Sequence, residues 1–171
     1  MIKFKLLAIL LVACTFNLSA QSRSEIIADI NGLLQNVKNV RIKTSDSRPT
    51  HITHPYISFT EHSSKKGWVS FTSVTSWGGD YADLTLTYSF DPKNIEEVSL
   101  NDELDKERGN KAFLFALTLD DNEVEVTSVQ DGTTKHNKEN MVVMYIMMKG
   151  SDGYEIYDDL EELFAELAKA S

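Results

Sequence analysis

The sequence of 171 residues is poor in cysteine: Cys14 is the only one. It lies within MIKFKLLAILLVACTFNLSA, where Lys3 and Lys5 precede an apolar run from Leu6 to Ala13 and smaller, more polar residues lead to Ala20. That three-part plan predicts a secretory signal, and the apolar run is too short to span a bilayer. Ser19 and Ala20 before Gln21 suit an ordinary signal peptidase, so residues 1–20 are expected to be removed and residues 21–171 to form one domain, periplasmic or secreted. Leu11-Val12-Ala13-Cys14 has the form of a lipobox and supplies the alternative, a lipidated Cys14 that holds the chain at a membrane. Phe16 and Leu18 carry the apolar stretch past Cys14 and favour the cut after Ala20. A chain cut there has no cysteine, which excludes a disulfide, a thiol nucleophile and a thiolate metal site.

Basic residues are the second shortage. There are 17 Lys and Arg against 26 Asp and Glu, a formal charge of −9; without residues 1–20 the count is 15 against 26, or −11. A field of that sign disfavours nucleic acid and favours cationic partners or plain solubility; a protein or an amphipathic ligand is the expected partner. None of the eight glycines forms Gly-x-Gly-x-x-Gly or Gly-Lys-Ser/Thr, and no serine stands in a Gly-x-Ser-x-Gly frame. Phosphate loops and the nucleophile elbow are therefore missing, and no cofactor is expected. No repeat, low-complexity tract or Pro/Gly linker divides residues 22–171.

Periodicity carries most of the positive information. Ile26, Ile30, Leu33 and Val37 recur at helical spacing, with Ile27 and Leu34 widening the stripe, and Ser22 with Glu25 has the spacing of a capping box. Leu84, Leu86, Tyr88 and Phe90 alternate as on a strand with one buried face. Related patterns at 40–44, 56–60, 68–74, 97–100, 112–119, 123–127 and 141–148 predict further strands. Short turns rich in Gly, Asp and Asn between them (Ser64 to Gly67, Trp77 to Asp80, Asp120 to Asn122, Gln130 to Gly132) predict hairpins and an antiparallel sheet. Residues 141–148 are apolar on both faces, which calls for a cover. A helix over Tyr154–Ala170, with Ile156, Leu160, Leu163 and Leu167 on one stripe and Phe164 beside it, can supply it.

The expected fold is therefore α+β: an N-terminal helix, an antiparallel sheet or roll of seven to eight strands, and a C-terminal helix packed on it. Over residues 51–170 that order resembles a pleckstrin-homology-like roll in strand count, with a cystatin-like helix-on-sheet arrangement as the rival. The resemblance is one of topology and implies no function.

Candidate sites are few. His51 and His54 are three residues apart, which points them to opposite faces of a strand, so with His62, His136 and Asp46 they read as surface groups and no metal site is expected. The acidic runs Asn101 to Asp105 and Leu119 to Glu123 lack the alternation and the sixth-position Gly of a calcium loop and read as solvated turns. Between Lys38 and Lys66 six bases (Lys38, Arg41, Lys43, Arg48, Lys65, Lys66) face two acids (Asp46, Glu61), whereas residues 67–171 hold 8 bases and 22 acids. Either a basic patch docks an anionic partner or the two regions neutralise each other inside the fold. Lys65 and Lys66, together in a turn, are the candidate binding pair. Trp77 and Tyr81, flanking Gly78 and Gly79, are the candidate aromatic contacts, whereas Trp68 reads as core. The leading expectation is an exported bacterial cell-envelope domain, a non-enzymatic binding or interaction module. A small hydrolase or isomerase using carboxylates with His51, His54 or His62, and an acidic inhibitor of a cationic secreted enzyme, are the alternatives.

Overall fold

The computed structural model describes residues 21–35, 40–42, 51–76, 81–101, 110–120, 123–149 and 152–170. The chain is α+β: helix α1 (Arg23–Gln35), strands β1 (Val40–Ile42), β2 (His51–Glu61), β3 (Val69–Ser76), β4 (Leu84–Phe90), β5 (Ile95–Asn101), β6 (Asn110–Leu119), β7 (Val124–Gln130), β8 (Thr133–Glu139) and β9 (Met141–Lys149), then helix α2 (Asp152–Lys169). Eight of these strands have seven or more residues, and β1 has three. All pairings are antiparallel. The N-terminal helix, the antiparallel strands and the packed C-terminal helix are thus as expected.

Strand order adds what periodicity does not contain. A six-stranded sheet runs β1-β2-β3-β4-β7-β8 and a three-stranded sheet runs β5-β6-β9. The chain therefore leaves the large sheet after β4, forms the β5–β6 hairpin in the small one, returns with β7–β8 and leaves again for β9. The turn at Asp120 is a crossing between sheets and not the expected hairpin, since β6 and β7 are not paired. Backbone bonds tie the crossings together: Asp120 N–H donates to the Asn94 carbonyl at 3.3 Å and Leu119 N–H to the Asn140 carbonyl at 2.8 Å. Pro92 opens a single 3-10 turn, capped where Asp91 Oδ1 accepts from Lys93 N–H at 3.1 Å. That turn swings the chain out of β4, because proline cannot donate to a continuing ladder.

Strand β8, TTKHNKE, is absent from the sequence-based expectation for a physical reason. All seven of its residues are exposed, so neither face is apolar and no alternation marks it. It is held by a two-residue turn in which Asp131 (φ 48°) and Gly132 (φ 70°) both take positive φ, the requirement of the tight hairpin turn whose twist matches the strands.

The core lies between the inner face of the sheets and the helices. Phe59, Val69, Phe71, Phe90, Phe115, Leu117, Val124 and Val142 are buried from the strands, Ile26, Ile27, Ile30 and Leu34 from α1, and Leu160, Phe164 and Leu167 from α2. Phe164 is central, its ring centroid 5.6 Å from Phe59 and 5.8 Å from Phe115. Both helical stripes are rotated slightly from their sequence reading. Leu33 and Leu163 are only partly buried, whereas Leu34 and Phe164 are fully so; Val37 lies outside the described residues. The predicted capping box is formed: Ser22 N–H donates to Glu25 Oε2 at 2.7 Å and Glu25 N–H to Ser22 Oγ at 3.4 Å. No helix among the described residues is long and apolar enough to cross a membrane.

Candidate functional site

Two places gather the candidate residues. The first is the β2–β3 turn. His62 Nδ1 accepts the backbone N–H groups of Ser64 at 3.2 Å and Lys65 at 3.0 Å. His62 N–H donates to the Trp68 carbonyl at 2.9 Å, and Gly67 at φ 83° closes the loop. Arg23 anchors this hairpin to the start of α1: Nε donates to Glu61 Oε1 and Nη2 to the Gly67 carbonyl, each at 2.7 Å.

The hairpin delivers Lys65 to β7. Its Nζ is 2.5 Å from Glu125 Oε2 and 3.9 Å from the Trp68 ring centroid. The bond from Lys65 holds the Glu125 carboxyl below its ordinary value, with Lys138 and His62 adding attraction and desolvation opposing it. Internal neutralisation is thus realised at Lys65, while Lys66 is exposed. Lys38, Lys43, Arg48 and Asp46 lie outside the described residues, as does the Cys14 alternative.

The second place is the open end of the large sheet. Its inner face is covered by α1 near β2, and α2 lies on the small sheet and the 3-10 turn. Toward β7 and β8 the apolar positions Val124 and Val126 give way to Ser128 and Gln130 on the same face. A concavity of about 520 Å³ forms there, lined among others by Tyr81, Leu84, Ser128, Gln130, Asp131 and Lys135. Tyr81 stands at its rim, 67% exposed. Gln130 Nε2 donates to the Ala82 carbonyl at 3.1 Å, which fixes the amide against the β3–β4 connection. Ser128 is directly opposite Lys135 across the β7–β8 ladder. Trp77, the other aromatic candidate, lies outside the described residues.

Sequence reasoning reached Tyr81 through its turn but missed its partners on β7 and β8. A Gln, a Ser and a Lys spaced along two strands carry no motif; only pairing of β7 with β4 brings them to Tyr81. A second groove, about 480 Å³, runs between the helices beside Leu33 and Leu163, with Asp29, Asp159, Glu162 and Glu166 around it. Among the described residues no three His, Cys, Asp or Glu side chains converge to hold a metal. No family model, curated protein or solved structure matches the chain.

Proposed function

We propose that this chain is an exported bacterial cell-envelope domain that binds a ligand, and that the ligand is a saccharide held at the Tyr81 concavity. The observation that carries this reading is the exposed Tyr81 ring beside a lining of mixed hydrogen-bonding sense. A sugar is amphipathic: its C–H face stacks on an aromatic ring, and its hydroxyls need donors and acceptors together. Lys135 donates, Asp131 accepts, Ser128 does either, and Gln130 is held by one of its amide protons. Leu84 adds a small apolar floor. The histidine route to catalysis gains nothing from His62, whose Nδ1 is engaged by two backbone N–H groups.

A shallow polar site of this kind binds with a Kd of about 1 mM, worth roughly 4 kcal/mol. Titration calorimetry with cellotriose and N-acetylchitotriose tests the reading. Saturable binding of either, lost in Tyr81→Ala and weakened in Gln130→Ala, supports it. Heat of dilution alone for both sugars, or a Tyr81→Ala variant that binds as the parent does, overturns it.

A further inference from the structure

Strand β8 is a preformed edge that nothing covers among the described residues. It is the outermost strand of the six-stranded sheet and pairs on one side only, along its whole length, from Gln130↔Thr133 to Val124↔Glu139. The opposite edge, β1, is only three residues long and adjoins β9 of the small sheet. Exposure of all seven β8 side chains means that neither sheet face is packed there. Its backbone is nevertheless extended, because the Asp131-Gly132 turn and β7 impose the conformation.

Hydrogen-bond alternation fixes which groups face outward. In a two-residue hairpin the flanking pair, here Gln130 and Thr133, exchanges both bonds, so alternate pairs along the ladder bond inward. Ser128–Lys135, Val126–Asn137 and Val124–Glu139 are those pairs. The N–H and C=O groups of Thr134, His136 and Lys138 therefore point to the open side.

Charge selects the occupant. On a chain with a net charge of −9, β8 carries Lys135, Lys138 and His136 against the single acid Glu139 at its end. Lysines on an edge discourage pairing with a second copy that bears the same lysines. Lys138 lies directly opposite Glu125, which also holds Lys65, so one carboxylate faces two ammonium groups.

We infer that β8 is a docking edge for an extended acidic segment of a partner protein, added to the sheet as a seventh strand. Main-chain bonds to Thr134, His136 and Lys138 supply the docking, and the lysines supply the choice. Because Lys135 and Lys138 are three residues apart and project to opposite faces, the matching pattern in the partner is Asp/Glu-x-x-Asp/Glu. The proposal shares Lys135 with the saccharide reading, so its variants are placed at His136 and Lys138, which do not line the Tyr81 concavity.

The probe is a fluorescent heptapeptide on a Thr/Val background with Glu at its second and fifth positions, titrated into the chain beginning at Gln21. Binding is expected at low salt and weakens about tenfold or more in high salt, since exposed charges are screened. Hydrogen exchange should slow at the amides of Thr134, His136 and Lys138 in the complex. His136→Pro removes an outward N–H without touching the ladder to β7, so it folds and loses the peptide. Lys138→Glu weakens binding about tenfold, and a peptide with Lys in place of only its second-position Glu, the one facing residue 138 in an antiparallel strand, restores it in that variant. No binding, equal binding by the folded His136→Pro variant, or exchange slowed elsewhere overturns the proposal. So does sedimentation showing that β8 joins two copies of the chain.

Discussion

Asn31, midway along α1, satisfies both backbone polar groups of Phe59 on β2. Its Nδ2 donates to the Phe59 carbonyl at 2.8 Å, and Phe59 N–H donates to its Oδ1 at 3.2 Å. The same Nδ2 also donates to the Ile27 carbonyl at 2.9 Å. Strand β1 pairs with residues 51–53 of β2, and among the described residues no strand pairs with Phe59 on that side. The side-chain amide stands in there for a neighbouring strand and fixes the register of α1 on the sheet.

Replacing Asn31 by Ala strands a half-buried N–H and C=O together. The expected cost is about 1–3 kcal/mol in urea denaturation. Asn31→Asp keeps an acceptor for Phe59 N–H but loses the donor, so its cost should be similar and should grow on deprotonation. An unchanged midpoint for Asn31→Ala would show that water replaces the amide without loss.

The rotated stripe of α2 separates two neighbours. Phe164, fully buried between Phe59 and Phe115, should cost about 3–5 kcal/mol on replacement by Ala. Leu163, partly exposed in the groove between the helices, should cost less than about 2 kcal/mol. Equal losses in the two variants would contradict this packing. Truncation before Tyr154 removes the cover altogether and should abolish the cooperative melt.

Glu125 sets an acid limb on stability. Its carboxyl is depressed from the ordinary 4.5, chiefly by the bond from Lys65. Folding therefore favours the ionised form: the contribution is complete at neutral pH and is lost as pH falls below that value. The pair is half-exposed, so the effect is a change of slope rather than collapse. In thermal melts the difference between the parent and Lys65→Met should shrink as the solution is acidified; a constant difference would assign it to the contact with Trp68 instead.

An alkaline limb belongs to Tyr157. Burial first, then Glu161, Asp158 and Glu97, push its hydroxyl above 10.0, and it donates to the Val98 carbonyl at 3.2 Å. A raised value means stability present below 10.0 and lost as pH rises through the folded-state value. Tyr157→Phe should be less stable at neutral pH by about 0.5–1.5 kcal/mol and show a flatter alkaline limb. A parent and variant that lose stability in parallel above pH 10.0 would refute the assignment.

Export should leave a chain that begins at Gln21. The capping pair Ser22 and Glu25 and the anchor Arg23 all follow that cut, so α1 keeps its start. Intact-mass measurement on the exported protein tests this, and a diacylated Cys14 would replace the cleavage reading with a lipid anchor.

Local periodicity determined both helices and the strands of this protein other than β8. Burial of one face imposes a period of 3.6 on α1 and α2 and of two on β4, and such patterns are written in neighbouring residues. The cap at Ser22 and Glu25 is equally local. Long-range pairing decided the rest. Nothing in residues 120–130 states that β7 joins β4 rather than β6, because both partners offer an apolar inner face and the choice rests on how two sheets close over one core. Strand β8 has no buried face at all, so its existence depends on β7 and a turn. Lys65 and Glu125 are 60 residues apart and meet only because β7 lies beside β4. The concavity at Tyr81 has the same origin: its ring comes from the β3–β4 connection, its polar lining from a hairpin that has first visited the other sheet, and only tertiary closure sets them side by side.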